Sequence, residues 1–99
     1  MSRGEHLYII AYDIADQKRW RRVYKTLRGY GSWVQLSVFQ LRLSDRRHRE
    51  LMGSLDEIIN HQEDHILCFD LGPADGKKEP RVTSLGRSFS FLERDAVIV

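Results

Sequence analysis

The segment Trp33 to Leu43 carries apolar side chains at both parities of an extended chain. Phe39, Leu41 and Leu43 fall on one side, and Val34, Leu36 and Val38 on the other. Side chains alternate between the faces of a strand, so a strand apolar on both faces has to be covered on both. Helices of the same chain supply one cover. The other has to be a second sheet, and a chain of 99 residues is too short to build one beside its first core. A homodimer with sheets packed face to face meets both demands.

The rest of the chain supplies the helices and further strands. Leu7 to Tyr12 is a continuous apolar run of strand length, rich in β-formers, and it ends at Asp13. Asp16 fits a helix N-cap, since its carboxylate can accept from free backbone N–H groups. Trp20, Val23, Tyr24, Leu27 and Tyr30 then follow at helical spacing and make one apolar face, with Gly29 and Gly31 as a stop. Ser44 suits the cap of a second helix whose Leu51, Leu55, Ile58 and Ile59 form a single stripe. Ile66 to Leu71 reads as a strand ended by Gly72-Pro73, and Ala74 to Arg81 as an exposed loop. Arg81 to Leu85 reads as a short further strand, and Ala96 to Val99 is too apolar for a free tail. The expectation is one α+β domain over 1–99, ferredoxin-like in its β-α-β-β-α-β order. Its core spans 7–85, and an extension over 86–99 adds a C-terminal strand.

Composition narrows the functions. With 41% hydrophobic and 30% charged residues the chain is in the ordinary globular range. It has no apolar run long enough for a transmembrane helix, and Met1 to His6 lacks the apolar core of a secretory signal. The single Cys68, inside an apolar run, reads as a small buried hydrophobe, and the set of features points to a reducing cytoplasm. A net charge of +2 hides an asymmetry: residues 18–49 hold ten Lys/Arg and one acid, while both flanks are acidic. Arginines outnumber lysines twelve to four, and the planar guanidinium suits phosphate oxygens. Such a block suggests a polyanion-binding face.

Three stretches carry a resemblance. Tyr8-Ile9-Ile10-Ala11-Tyr12-Asp13-Ile14 is an apolar first strand that delivers an aspartate at its end. Asp16 through Lys25 places Arg19, Arg22 and Lys25 on the first helix. Gly31-Ser32-Trp33-Val34-Gln35-Leu36-Ser37-Val38-Phe39 has a glycine followed by V-Q-x-S-V-F. In this order and spacing, over residues 7–71, the chain resembles the CRISPR-associated protein 2 family. The resemblance implies a two-fold dimer in which the Asp13 carboxylates of both protomers face each other across a cleft. It implies metal-dependent cleavage of phosphodiester bonds in RNA or DNA, a complex with the CRISPR integrase, and a C-terminal strand that adds to the partner's sheet.

Each candidate residue has a functional and a structural reading. Asp13 either ends the strand and starts a turn or, as the resemblance implies, is the catalytic and metal-binding carboxylate for Mg²⁺ or Mn²⁺. Two carboxylate oxygens sharing one Mg²⁺ lie no more than ~4.2 Å apart. Asp16 is a cap rather than a ligand. Arg19, Arg22 and Lys25, extended by Arg21 and Arg28, are the candidate phosphate contacts, because no acid between Lys18 and Arg42 pairs with them locally. Phe39 reads as core or dimer interface, Ser37 as a cleft hydroxyl or packing residue, and Gln35 as a hydrogen-bonding group across the dimer. Trp20 and Tyr24 belong to the apolar helix face rather than to a base-stacking platform. His61 and His65 have zinc spacing without further ligands, so zinc is set aside.

The function expected is therefore a homodimeric, cytoplasmic nucleic-acid-binding protein of spacer acquisition with Mg²⁺-dependent endonuclease activity. A non-catalytic architectural subunit of the integrase complex and a toxin-type ribonuclease are the alternatives.

Overall fold

The computed structural model describes residues 4–74 together with Thr83, Leu85 and Gly86. The elements are β1 (Glu5–Asp13), α1 (Gln17–Arg28), β2 (Gly31–Gln35), β3 (Val38–Ser44), α2 (Asp45–Ile58) and β4 (His65–Pro73). They form one antiparallel sheet in the order β2-β3-β1-β4, with β1 central between β3 and β4. This is the ferredoxin-like arrangement expected of the order β-α-β-β-α-β. The expected strand over 81–85 is outside the described residues except for Thr83 and Leu85, and the C-terminal strand over 96–99 is wholly outside them.

The long strand read over Trp33–Leu43 is corrected, and its division is what yields the β-α-β-β-α-β order, since a single strand there would give β-α-β-α-β. It is two strands joined by the tight turn Leu36-Ser37, and Gln35 pairs with Val38 across it. Leu36 has φ 38°, a left-handed conformation that costs a non-glycine residue roughly 1–2 kcal/mol. Three hydrogen bonds hold the turn: Trp33 Nε1 donates to Leu36 O at 2.9 Å, Trp20 Nε1 to Ser37 Oγ at 3.3 Å, and Tyr12 N to Ser37 O at 3.0 Å. Gly31 does more than follow a helix. A Cβ there would lie 2.5 Å from Gln40 O and 2.7 Å from Leu41 Cγ, so only glycine lets β2 approach β3 this closely.

Both helix caps form as their sequences predict. Asp16 accepts from Arg19 N at 2.9 Å and Ser44 accepts from Arg47 N at 3.2 Å. Beneath the helices, Tyr8, Ile10, Tyr12, Phe39, Leu41 and Leu43 of the sheet meet Val23, Tyr24, Leu27, Leu51 and Leu55. Phe39 is fully buried and is therefore a core residue. The aromatic rings pack on one another: Trp20 stacks on Tyr24 at 5.4 Å, and Tyr24 meets Phe39 edge-on at 5.6 Å. That packing leaves Trp20 and Tyr24 to the core, as their helical spacing implies.

The opposite face of the sheet has a different character. Cross-strand partners share a face, so Ile9 and Ala11 of β1 lie with Val38 and Gln40 of β3 and with Phe69 and Leu67 of β4. Leu67, Phe69 and Leu71 are each about half exposed, in contrast to Tyr8, Ile10, Leu41 and Leu43 under the helices, which are buried. Gln40 Oε1 is buried with no hydrogen-bond partner among the described residues.

Candidate nucleic-acid and carboxylate site

Asp13 is the last residue of β1 and is exposed. It lies on the helix-free face, in register with His65 at the start of β4. On its other side the backbone of Tyr12 is tied to Ser37, so the β2–β3 turn reaches the same end of the sheet. The fold thus gathers Asp13, Ser37 and, beyond the turn, exposed Gln35, as the spacing of the sequence implies only in part. Ser37 is engaged by the Trp20 indole. The Asp13 side chain has no hydrogen-bond or ion-pair partner among the described residues.

The turn that follows Asp13 is held by a residue that sequence reading passed over, Asp64. Its side chain has no exposed surface. Oδ1 accepts from Ala15 N at 2.9 Å and from Arg19 Nη2 at 3.2 Å, and Oδ2 accepts from Arg19 Nε at 2.7 Å and Asn60 N at 2.8 Å. The Arg19 guanidinium, with help from these backbone N–H groups, holds the Asp64 carboxyl far below the usual carboxylate range. Arg19 also reaches Glu63 at 3.3 Å. The ion-pair partners of Arg19, Glu63 and Asp64, are 44 and 45 positions away, so the sequence around the helix does not disclose them.

The other basic residues of α1 stand differently. Lys18, Arg21, Arg22, Lys25 and Arg28 are all exposed. Lys18, Arg21, Arg22 and Lys25 have no side-chain partner among the described residues, and Arg28 touches only the Tyr24 hydroxyl, at 3.3 Å. They form a cationic ridge on the outer surface of the helix, rigid beneath and free above.

His61 is hydrogen-bonded to Asp56 at 2.7 Å, and His65 sits on β4 beside Asp13. Cys68 is half-buried, 3.7 Å from His48 Nε2, and burial followed by the Asp70 charge pushes its thiol pKa up. That is the behaviour of a packing thiol rather than a nucleophile. Among the described residues no group of three or more His, Cys, Asp or Glu is arranged to hold a metal ion. Among the described residues one chain therefore offers one free carboxylate at this place, Asp13. That fits an ion such as Mg²⁺, which takes one or two carboxylates and keeps its waters, when a second copy supplies the other carboxylate.

The comparisons with known proteins converge on one family. The sequence profile described as CRISPR associated protein Cas2 matches residues 6–78. The CRISPR-associated endoribonuclease Cas2 of Geobacter sulfurreducens is 54% identical over 95 residues, covering 96% of this chain and 99% of that protein. The CRISPR-associated endoribonuclease Cas2 1 of Rhodospirillum rubrum is 52% identical over 98 residues, covering 99% and 95%. A crystal structure of a Cas2 protein superposes with a TM-score of 0.73 at 28% identity, over 85% of this chain and 90% of that one. A central strand that ends in a free aspartate, a hairpin closed by Leu36-Ser37 and a basic first helix are thus the features of a chain that belongs to the CRISPR-associated Cas2 family.

Proposed function

We propose that this protein binds nucleic acid as a homodimer in CRISPR adaptation and hydrolyses phosphodiester bonds with Mg²⁺ or Mn²⁺ at a centre formed by Asp13 of both protomers. The observation that carries the reading is the position of Asp13: exposed, without a side-chain partner among the described residues, and at the rim of a half-exposed apolar sheet face. Leu67, Phe69 and Leu71 are the kind of contiguous apolar surface that a second copy covers, and the unpartnered Gln40 Oε1 gains a donor in such an interface. Two-fold pairing then brings two Asp13 carboxylates to one cleft. The names of the Geobacter and Rhodospirillum relatives support ribonuclease chemistry.

In this reading Asp13 of each chain would hold the ion, and the chemistry such an ion would supply is a water of lowered pKa and a polarised phosphodiester. The α1 ridge of Arg21, Arg22, Lys25 and Arg28 grips phosphates without reading sequence, and Arg19 anchors its base. Gln35 and Ser37 line the same end of the sheet. The integrase subunit is the protein partner and the cytoplasm the compartment.

The non-catalytic platform is the second reading, and one observation favours it. The free cations stand on α1, while one chain supplies a single carboxylate, so binding does not depend on Asp13. The test is cleavage of labelled single-stranded RNA and double-stranded DNA with Mg²⁺, Mn²⁺ or chelator, comparing the parent with Asp13→Asn. Metal-dependent cleavage that disappears in Asp13→Asn supports the nuclease. Salt-sensitive binding with no cleavage by the parent leaves the platform.

A further inference from the structure

We infer that Asp64 is a positioning residue for Asp13, a clamp that fixes the turn after the catalytic strand. The inference rests on the reading of Asp13 given above and extends it to a residue outside the cleft.

An ionised carboxylate offers about four acceptor sites, and Asp64 fills all of them. Its donors come from three separate segments: Ala15 in the β1–α1 turn, Arg19 on α1, and Asn60 in the α2–β4 turn. Ala15 is two residues beyond Asp13. His65, next after Asp64, is the cross-strand partner of Asp13. Asp64 therefore grips the backbone on both sides of the Asp13–His65 pair.

Asp13 needs such a grip. Its side chain has no partner of its own among the described residues, so its place is set by the backbone that carries it. A displacement of about 1 Å in a reacting group can cost about 10²-fold in rate. Arg19 contributes through its planar fork, which takes both carboxylate oxygens at once and which a lysine cannot imitate. In Asp64→Asn one oxygen becomes an NH₂ donor aimed at another donor, while the shape stays the same.

The experiment uses the full chain as purified dimer: parent, Asp64→Asn, Arg19→Lys, Asp13→Asn, and Leu51→Ala as a destabilised control far from the turn. Single-turnover cleavage of single-stranded RNA with Mn²⁺ is measured at a temperature where every variant is folded. Equilibrium RNA binding and amide hydrogen exchange at Asp13, Ile14 and Ala15 are measured in parallel. The expected result is about 10²-fold slower cleavage by Asp64→Asn, with RNA affinity kept and exchange faster than in the parent at residues 13–15, Ala15 above all because its N–H bonds Asp64 directly. Arg19→Lys, which leaves both backbone bonds to Asp64, falls between it and the parent, while Leu51→Ala cleaves at the parent rate. Parent-like cleavage by Asp64→Asn, or equal slowing in Leu51→Ala, overturns the inference. If the parent is inert or Asp13→Asn cleaves normally, the reading of Asp13 fails instead. Exchange then decides the clamp by itself: acceleration at 13–15 in Asp64→Asn that Leu51→Ala does not share sustains it, and unchanged protection at Ala15 overturns it.

Discussion

The two helices lie side by side on one sheet and bury matching leucines, yet their outer surfaces are opposite in kind. The α1 helix carries six basic residues and no acid. The α2 helix sets three arginines among four acids. Arg46 pairs with Glu50 at 3.6 Å, Arg49 pairs with Asp45, and Arg47 lies over the Tyr30 ring at 4.5 Å. Counted along the sequence, residues 18–49 are one basic block. Folding divides that block into a free ridge on α1 and a self-neutralised surface on α2, because helical neighbours at i,i+4 pair when the signs allow. The lesson is that charge available to a partner depends on local pairing more than on the excess itself.

The comparison can be broken first at the shared core. Leu27→Ala and Leu51→Ala, both fully buried, are each expected to cost ~2–5 kcal/mol by urea unfolding. A near-zero cost on one helix only would show that the two do not rest on one core. The outer surfaces should then separate sharply. Arg22→Glu with Lys25→Glu should weaken nucleic-acid binding by about 30-fold, or ~2 kcal/mol. It should also flatten the slope of log affinity against log salt by about two units. Equal loss from α2 reversals would abolish the distinction. Removing the caps tests whether the helices are held alike at their starts: Asp16→Ala and Ser44→Ala should each cost ~1 kcal/mol in thermal or urea unfolding. The smallest effect belongs to Arg46→Glu with Arg49→Glu, where solvent-exposed pairs are worth less than ~1 kcal/mol and nucleic-acid affinity should stay within about two-fold of the parent.

Much of this molecule is legible in its sequence because the signals are local. The stripe Val23, Tyr24, Leu27 and the caps Asp16 and Ser44 depend on neighbours a few residues away, and they fold as their spacing says. The β2–β3 turn is not legible. Leu36 is no turn former, a lone Ser37 among apolar neighbours is a weak signal, and the turn is held by Trp20, Trp33 and Tyr12. The apolar alternation of the segment therefore reads as a single strand. The helix-free apolar face was inferred from that strand, yet its largest exposed members come from β4, Leu67 and Phe69. Asp64 is hidden for the same reason as the turn. It ends a short polar stretch in which Asn60 Oδ1 accepts from Gln62 N, a visible turn signature, but its purpose lies with Ala15 and Arg19 far back in the chain.

The register of Asp13 with His65 has a consequence for how the protein comes into being. The two residues are 52 positions apart, whereas the β2–β3 hairpin closes over a two-residue turn. Contacts between distant residues must bear the entropy of closing a long loop, so they form after local ones. During synthesis α1 and the hairpin leave the ribosome well before β4. A nascent chain can therefore display its cationic helix while Asp13 has neither its cross-strand neighbour nor the Asp64 clamp. Under the proposed function, polyanion binding by α1 precedes phosphodiester chemistry at Asp13, and a chain cut short before β4 is expected to bind nucleic acid without cleaving it.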